Sequence, residues 1–465
     1  MDRQKHHYGV VALIMVFWFV ISFITNIIGP LIPDIIDNFR LSHLALAGFI
    51  PTSFFVAYAV MSIPAGLLIE RFSQKSVLTA GFLLPLIGSL LFALNPSFPM
   101  LLASSFTIGL GMAMLQTTIN PLTRSAGGEE NFAFFSVMGQ LVFGAASFVS
   151  PFVYTSMVLQ LTSGKELHGL TALFAAVTPA NLPWVSLYWL FALILAAVII
   201  VVLCARFPRI ELQEDERSGG AVSYRELLRN RYVYLFFIGM LCYTATEQGI
   251  ANWASKFLEL YHGLDPQTVG AAVIGRFWGY MSVGCLVGLV ALKLWDSRTV
   301  LKFAGLLSIG LLAAALFGGR ETAVQAFPGL GFSISVMFSI VLSLGLNSVE
   351  RHHGSFAGIL CTGIAGGALG PLIVGGLGDL FGLRAALCFL FLTLGYILSI
   401  AFWARPLWST SGSTCGSCSA ESNRRNTRQK RSLSFAERLL FPFSYANFGK
   451  NRYLYVSDGA NLRRP

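Results

Sequence analysis

Apolar residues follow one another along this chain in long runs. They show neither the three-or-four spacing of a one-faced helix nor the alternation of a half-buried strand. A helix of about 20 apolar residues crosses the hydrocarbon core of a bilayer. Lipid offers backbone N–H and C=O groups no partner, so such runs must be helical. Twelve spans are predicted: Tyr8–Ile32, Ala45–Ile69, Val77–Leu94, Pro99–Ile119, Phe132–Val158, Trp184–Cys204, Tyr232–Phe257, Val269–Leu292, Thr299–Phe317, Pro328–Asn347, Phe356–Leu377 and Arg384–Trp403. The pattern therefore predicts an all-α membrane protein of two six-helix halves, residues 1–205 and 232–404. A charged cytoplasmic connector, 206–231, joins them, and a tail, 405–465, follows. Two such halves enclosing a site near the midplane are the architecture of a transporter.

Charge refines this picture. Lys and Arg gather on one side, at Arg3, Lys5, Arg71, Lys75, Arg124, the connector, Lys293, Arg298, Lys302 and Arg351. The other side carries only Arg40, Lys165, Lys256, Arg320 and Arg384. The excess predicts a multi-pass protein of the cell inner membrane with both termini cytoplasmic. Charged residues make up 12% of the chain, about half the usual share, which excludes a soluble multidomain protein. Most of the net +10 lies in the tail: residues 405–465 hold 11 Lys/Arg and 3 Asp/Glu, or +8. The tail reads as a disordered segment whose partner is membrane lipid and not nucleic acid. Ser223 to Glu226 has capping-box spacing and predicts a short interfacial helix. The semi-apolar loop 159–183 is expected across the mouth of the bundle. The first run is too long for a cleavable leader and lacks a small-residue cleavage site.

Chemistry-bearing residues inside spans are few. Asn26, Gln116, Asn120, Gln140, Gln248 and Asn252 are amides, which offer both donors and acceptors to hydroxyl groups. Trp253 supplies an aromatic face of the kind that covers the apolar side of a pyranose. Any one of these could instead bond helix to helix; as a set they predict a polar cavity that binds substrate. Glu247 is an ionisable group within span 7, with Arg276 in span 8 as its candidate partner. Such groups face a cavity or one another. The pair is therefore either a proton-coupling element or a static ion pair. Asp34 and Asp37 are expected at the outer edge, and Asp379 as a cap on the turn that follows it. Between spans 2 and 3, Gly66, Glu70, Arg71 and Lys75 form either a gating latch or an ordinary charged turn. No phosphate-cradling loop, catalytic triad or zinc spacing is present, so neither an enzyme nor a cofactor is expected.

That turn resembles the loop motif of the major facilitator superfamily, with Glu70 for the usual Asp and Ser73 for the usual Gly. Leu115-Gln116-Thr117-Thr118-Ile119-Asn120-Pro121, Tyr243 to Trp253, Phe277-Trp278-Gly279-Tyr280-Met281 and Gly366 to Gly382 narrow the likeness. Over residues 8–403 the chain resembles the fucose–galactose–glucose:proton symporter family. The resemblance implies secondary active transport of a neutral hexose or deoxyhexose by alternating access, with a proton as coupling ion. Fucose-type members carry an acid where Gly29 stands and another where Gln116 stands; Gln116 is as in the glucose and galactose types. A monomer is expected. The alternatives are a facilitator or exporter of another small solute, and a membrane sensor that transports nothing.

Overall fold

In the computed structural model, residues 8–127, 132–163, 169–207, 227–348, 356, 359–360 and 362–404 are described. They are helical almost throughout, with no strand among them. Span 1 is Tyr8–Thr25 followed by Ile28–Asn38; span 2 is Leu44–Arg71, span 3 Gln74–Leu94, span 4 Phe98–Gly127, span 5 Phe132–Thr162 and span 6 Ser186–Cys204. In the second half, span 7 is Arg231–His262, span 8 Ala271–Leu294 and span 9 Ser297–Phe317. Span 10 is Arg320–Ile334 with Met337–Leu346, span 11 Gly366–Phe381, and span 12 Leu383–Leu387 with Phe389–Trp403.

Among the described residues, eleven helices are long and apolar enough to cross a membrane. Span 7, a 32-residue helix, is not among them. Thr244, Thr246, Glu247, Gln248, Asn252 and Lys256 dilute its apolar character. A helix this long and this polar inside a bundle faces something other than lipid. Elsewhere large apolar side chains stand on the outside. Ile200 is 63% exposed, Phe303 72% and Leu392 71%. Apolar exposure spread over most helices suits hydrocarbon and not water.

Each half has its own core. Phe17, Phe82, Phe92, Trp184 and Phe191 anchor the first; Phe236, Phe257, Phe277 and Phe327 anchor the second. From the loop 159–183, Phe174 and Leu182 join the first core, so that segment packs on its own half. The halves meet toward the end of the bundle that carries Asn38, Thr162, His262 and Phe381, called here the distal end. Among the described residues, every side-chain hydrogen bond or ion pair between the halves lies from mid-bundle to this end. The tail, the expected helix at Ser223–Glu226 and most of the connector lie outside the described residues.

One local rule positions the site. Pro30 has no N–H to give the carbonyl four residues back, at Asn26, and its ring crowds that carbonyl. Span 1 accordingly breaks at Asn26–Ile27 and resumes at Ile28. The break falls at mid-bundle, where span 1 meets span 7.

Candidate functional site

Around this break the two halves line a cavity, partly open to solvent, with about 280 Å³ of empty space. Span 1 contributes Thr25, Asn26, Ile28 and Gly29, and span 2 contributes Pro51, Phe54 and Phe55. From the second half come Gln248, Ala251 and Asn252 of span 7 and Trp278 of span 8. No charged side chain is in this lining. Asn26 donates through Nδ2 to Ser147 Oγ (2.8 Å) and more weakly to Ser22 Oγ (3.4 Å), so both its N–H groups are taken. Asn252 Nδ2 is engaged by the Gln248 backbone carbonyl (2.8 Å) and Gln248 Oε1 (3.2 Å). Both asparagines thus keep their Oδ1 atoms free of protein donors among the described residues. Amide acceptors beside aromatic rings, without charge, receive a neutral hydroxylated molecule better than a carboxylate or phosphate.

Close approach of the helices makes the cavity small. A Cβ on Gly29 would fall well inside contact distance of the Ala251 carbonyl oxygen and 3.1 Å from its carbon. At Gly48, a Cβ would sit 2.9 Å from the Pro371 carbonyl oxygen and 2.9 Å from Leu372 Cα. Glycine is what lets these backbones touch across the junction of the halves.

Three carboxylates seal the distal end. Asp34, 6% exposed, accepts from Tyr154 Oη at 2.6 Å within its own half and from Gln267 Nε2 at 3.0 Å across the junction. Thr155 Oγ1 donates to the Gln267 carbonyl beside them. Asp37 pairs with the buried Lys256 at 3.2 Å, while Glu259 holds the same ammonium at 2.9 Å. Asp379 accepts from the backbone N–H groups of Leu44 (2.5 Å) and Ala45 (2.9 Å). It therefore caps the N-terminus of span 2 in the opposite half and not the turn that follows it, because free N–H groups at a helix start attract a carboxylate.

The residues named from sequence divide into three groups. Asn26, Gln248 and Asn252 come together in the cavity. Gln116 accepts from Tyr58 Oη, joining spans 4 and 2, and Gln140 is exposed on span 5; neither is in the cavity lining. Trp253 is fully buried and its Nε1 donates to the Pro371 carbonyl at 2.9 Å, tying span 7 to span 11. Trp253→Phe is expected to lower stability by about 2 kcal/mol through the lost bond and volume. Substrate KM should stay unchanged; a KM increase without a drop in melting temperature would return Trp253 to the substrate. Glu247 accepts from Gln248 Nε2 (3.0 Å). No ion pair joins it to Arg276 in this structure, so the static-bridge alternative is not what holds Glu247 here. Lys75 donates to the carbonyls of Leu203 and Ala205, capping the end of span 6 in its own half. The side chains of Glu70, Arg71 and Asn120 and the surroundings of Gly66 lie outside the description.

Sequence reasoning missed Trp278, Phe55 and Thr25 as lining residues. Their signal, position on a span facing the partner half, depends on helix rotation, which the near-uniform apolarity of these spans conceals.

A family model described as Major Facilitator Superfamily matches residues 14–364. The chain belongs to the Major Facilitator Superfamily. Among similar members, a glucose/galactose transporter of Brucella abortus biovar 1 (strain 9-941) is 27% identical over 409 residues, covering 85% of this chain and 94% of the relative. The L-fucose-proton symporter of Escherichia coli (strain K12) is 23% identical over 407 residues, covering 81% and 90%. A solved structure of the E. coli fucose:proton symporter superposes with a TM-score of 0.60 at 19% identity, over 86% of this chain and 100% of that one. A bacterial homolog of the human lysosomal transporter Spinster, inward-facing and occupied, gives 0.67 at 16% identity, over 87% and 97%. At these identities the two structures establish that the superfamily fold is shared.

Proposed function

We propose that this protein is a secondary active transporter of a neutral sugar, a hexose or deoxyhexose such as glucose, galactose or fucose. It works as a monomer in the cell inner membrane with both termini cytoplasmic, so that the distal end faces outside. The observation that carries the reading is the uncharged cavity at the junction of the halves, whose free Asn26 and Asn252 oxygens call for hydroxyl donors. The named substrates of the glucose/galactose and fucose relatives support it. In this reading access alternates: rocking the halves breaks the distal contacts and exposes the same cavity to the other side. Counterflow in liposomes tests it, with labelled glucose, galactose, fucose and a nucleoside as probes. Exchange of one or more sugars is expected; exchange of the nucleoside alone, or of nothing, would overturn the sugar reading.

Proton coupling is assigned to Glu247. It sits on the polar span beside a cavity amide and has no cation partner among the described residues, which leaves its charge free to change. In Glu247→Gln, uphill accumulation driven by a proton gradient should fall to near zero, while sugar-for-sugar exchange persists. Accumulation at the wild-type level in E247Q would remove Glu247 from the coupling route.

A further inference from the structure

Among the described residues, three indole N–H groups are buried without a hydrogen-bond acceptor: those of Trp184, Trp189 and Trp278. Only Trp278 belongs to the cavity. A buried donor without a partner is rare and calls for an explanation, and at a cavity wall a ligand can supply the missing acceptor. The remainder of the lining is short of donors. Both N–H groups of Asn26 and of Asn252 are taken by protein acceptors, and the Thr25 hydroxyl donates to the Ile21 carbonyl at 2.8 Å. Gln248 has spent one of its two amide hydrogens on Glu247. Among the described lining residues the cavity thus offers several acceptors and very few donors, and Trp278 Nε1 is the buried donor that no protein acceptor satisfies.

We infer that Trp278 is a substrate-positioning residue, its indole N–H donating to a sugar oxygen while its ring covers an apolar patch of the pyranose. The inference rests on the sugar reading above and adds a residue and an orientation to it. A pyranose ring oxygen can only accept, and a hydroxyl donating to Asn26 or Asn252 can accept at the same time. One fixed donor among acceptors therefore selects how the sugar lies, because a flipped molecule leaves Nε1 unpaired. Phe277 packs edge-on against the indole at 5.3 Å and holds the ring in place.

The test is counterflow by the full-length protein with labelled glucose, galactose and fucose, run on wild type, Trp278→Phe and Trp278→His. W278F keeps an aromatic ring and loses the donor; W278H retains a ring N–H. KM for the transported sugar is expected to rise about tenfold in W278F with Vmax held within about twofold, and part of the loss to return in W278H. A set of monodeoxy sugars should contain one analogue that wild type transports about tenfold less well and that W278F does not distinguish from the parent. A merely structural role would move the melting temperature and Vmax and leave every analogue ratio unchanged, and that result overturns the inference. If W278F fails to fold, W278H carries the test: the wild-type analogue ranking supports the inference, and loss of the ranking in a folded protein overturns it. If wild type exchanges no sugar, the functional reading falls and takes this inference with it. If wild type exchanges sugar and W278F matches its KM for all of them, only the role of Trp278 falls.

Discussion

Placing any side chain at position 29 is expected to lower transport roughly a hundredfold, with alanine already showing most of the effect. The reason is that the obstacle is met at Cβ. It is the backbone carbonyl of Ala251, on a helix of the other half, and no rotamer change can move it. Forcing extra atoms into a packed interior costs about 1–3 kcal/mol where side chains can adjust. Against backbone the upper end applies, and 3 kcal/mol corresponds to about two powers of ten in a population. The strain exists only while the halves are closed at the distal end, so the substitution biases one state of the cycle and leaves the fold of each half alone. A cysteine at the cavity residue Thr25, in a background without other cysteines, should label faster with a membrane-impermeant thiol reagent applied from the distal side when Gly29→Val is also present. A Gly29→Ala protein that transports at the wild-type rate would sink the claim. The same contact gives a physical reason for a departure from the fucose-type pattern. An aspartate at 29 cannot occupy this closed geometry unless span 7 moves away, so Gly29 and the tight seal belong together.

How much of this was legible beforehand depended on the kind of signal. Eleven of the expected spans are legible from run length, because lipid admits almost no other reading of about 20 apolar residues, whereas span 7 is too polar to meet that test. The break in span 1 was visible as Pro30, though not that it meets span 7 at mid-bundle. Asn26, Gln248 and Asn252 were identifiable because amides are conspicuous on an apolar background. Trp253 was equally conspicuous, yet it bonds Pro371. Sequence gives a residue's chemistry but not the rotation of its helix, and in spans this uniformly apolar no amphipathic stripe fixes that rotation. The distal carboxylates show the same limit. Asp34, Asp37 and Asp379 could be placed at span ends, but their partners lie in the opposite half, more than 200 residues away for each bond across the junction.

Removing Asp34 should open the distal end. Its bond to Tyr154 lies within the first half, whereas its bond to Gln267 crosses the junction and is lost if the halves separate. A hydrogen bond to a charged group contributes about 1.5–3 kcal/mol. Asp34→Ala is therefore expected to shift the population about 10- to 100-fold toward the distal-open state. Asp34→Asn keeps one oxygen acceptor for either Gln267 or Tyr154 and should fall between the two. The other two latches are weaker levers. Asp37 is 59% exposed on its side chain, so its pair with Lys256 is screened by water, and a carboxylate at a helix start is worth about 0.3–1 kcal/mol when accessible. The ranking Asp34 > Asp37 and Asp379 is itself checkable with the Thr25→Cys labelling rate in each single alanine variant. Distal labelling in D34A should rise most, and sugar exchange should fall as the variant spends less time with its cavity open to the other side. Equal labelling in wild type and D34A would show that the seal does not depend on this carboxylate. A larger increase in D379A would move the principal latch to the start of span 2.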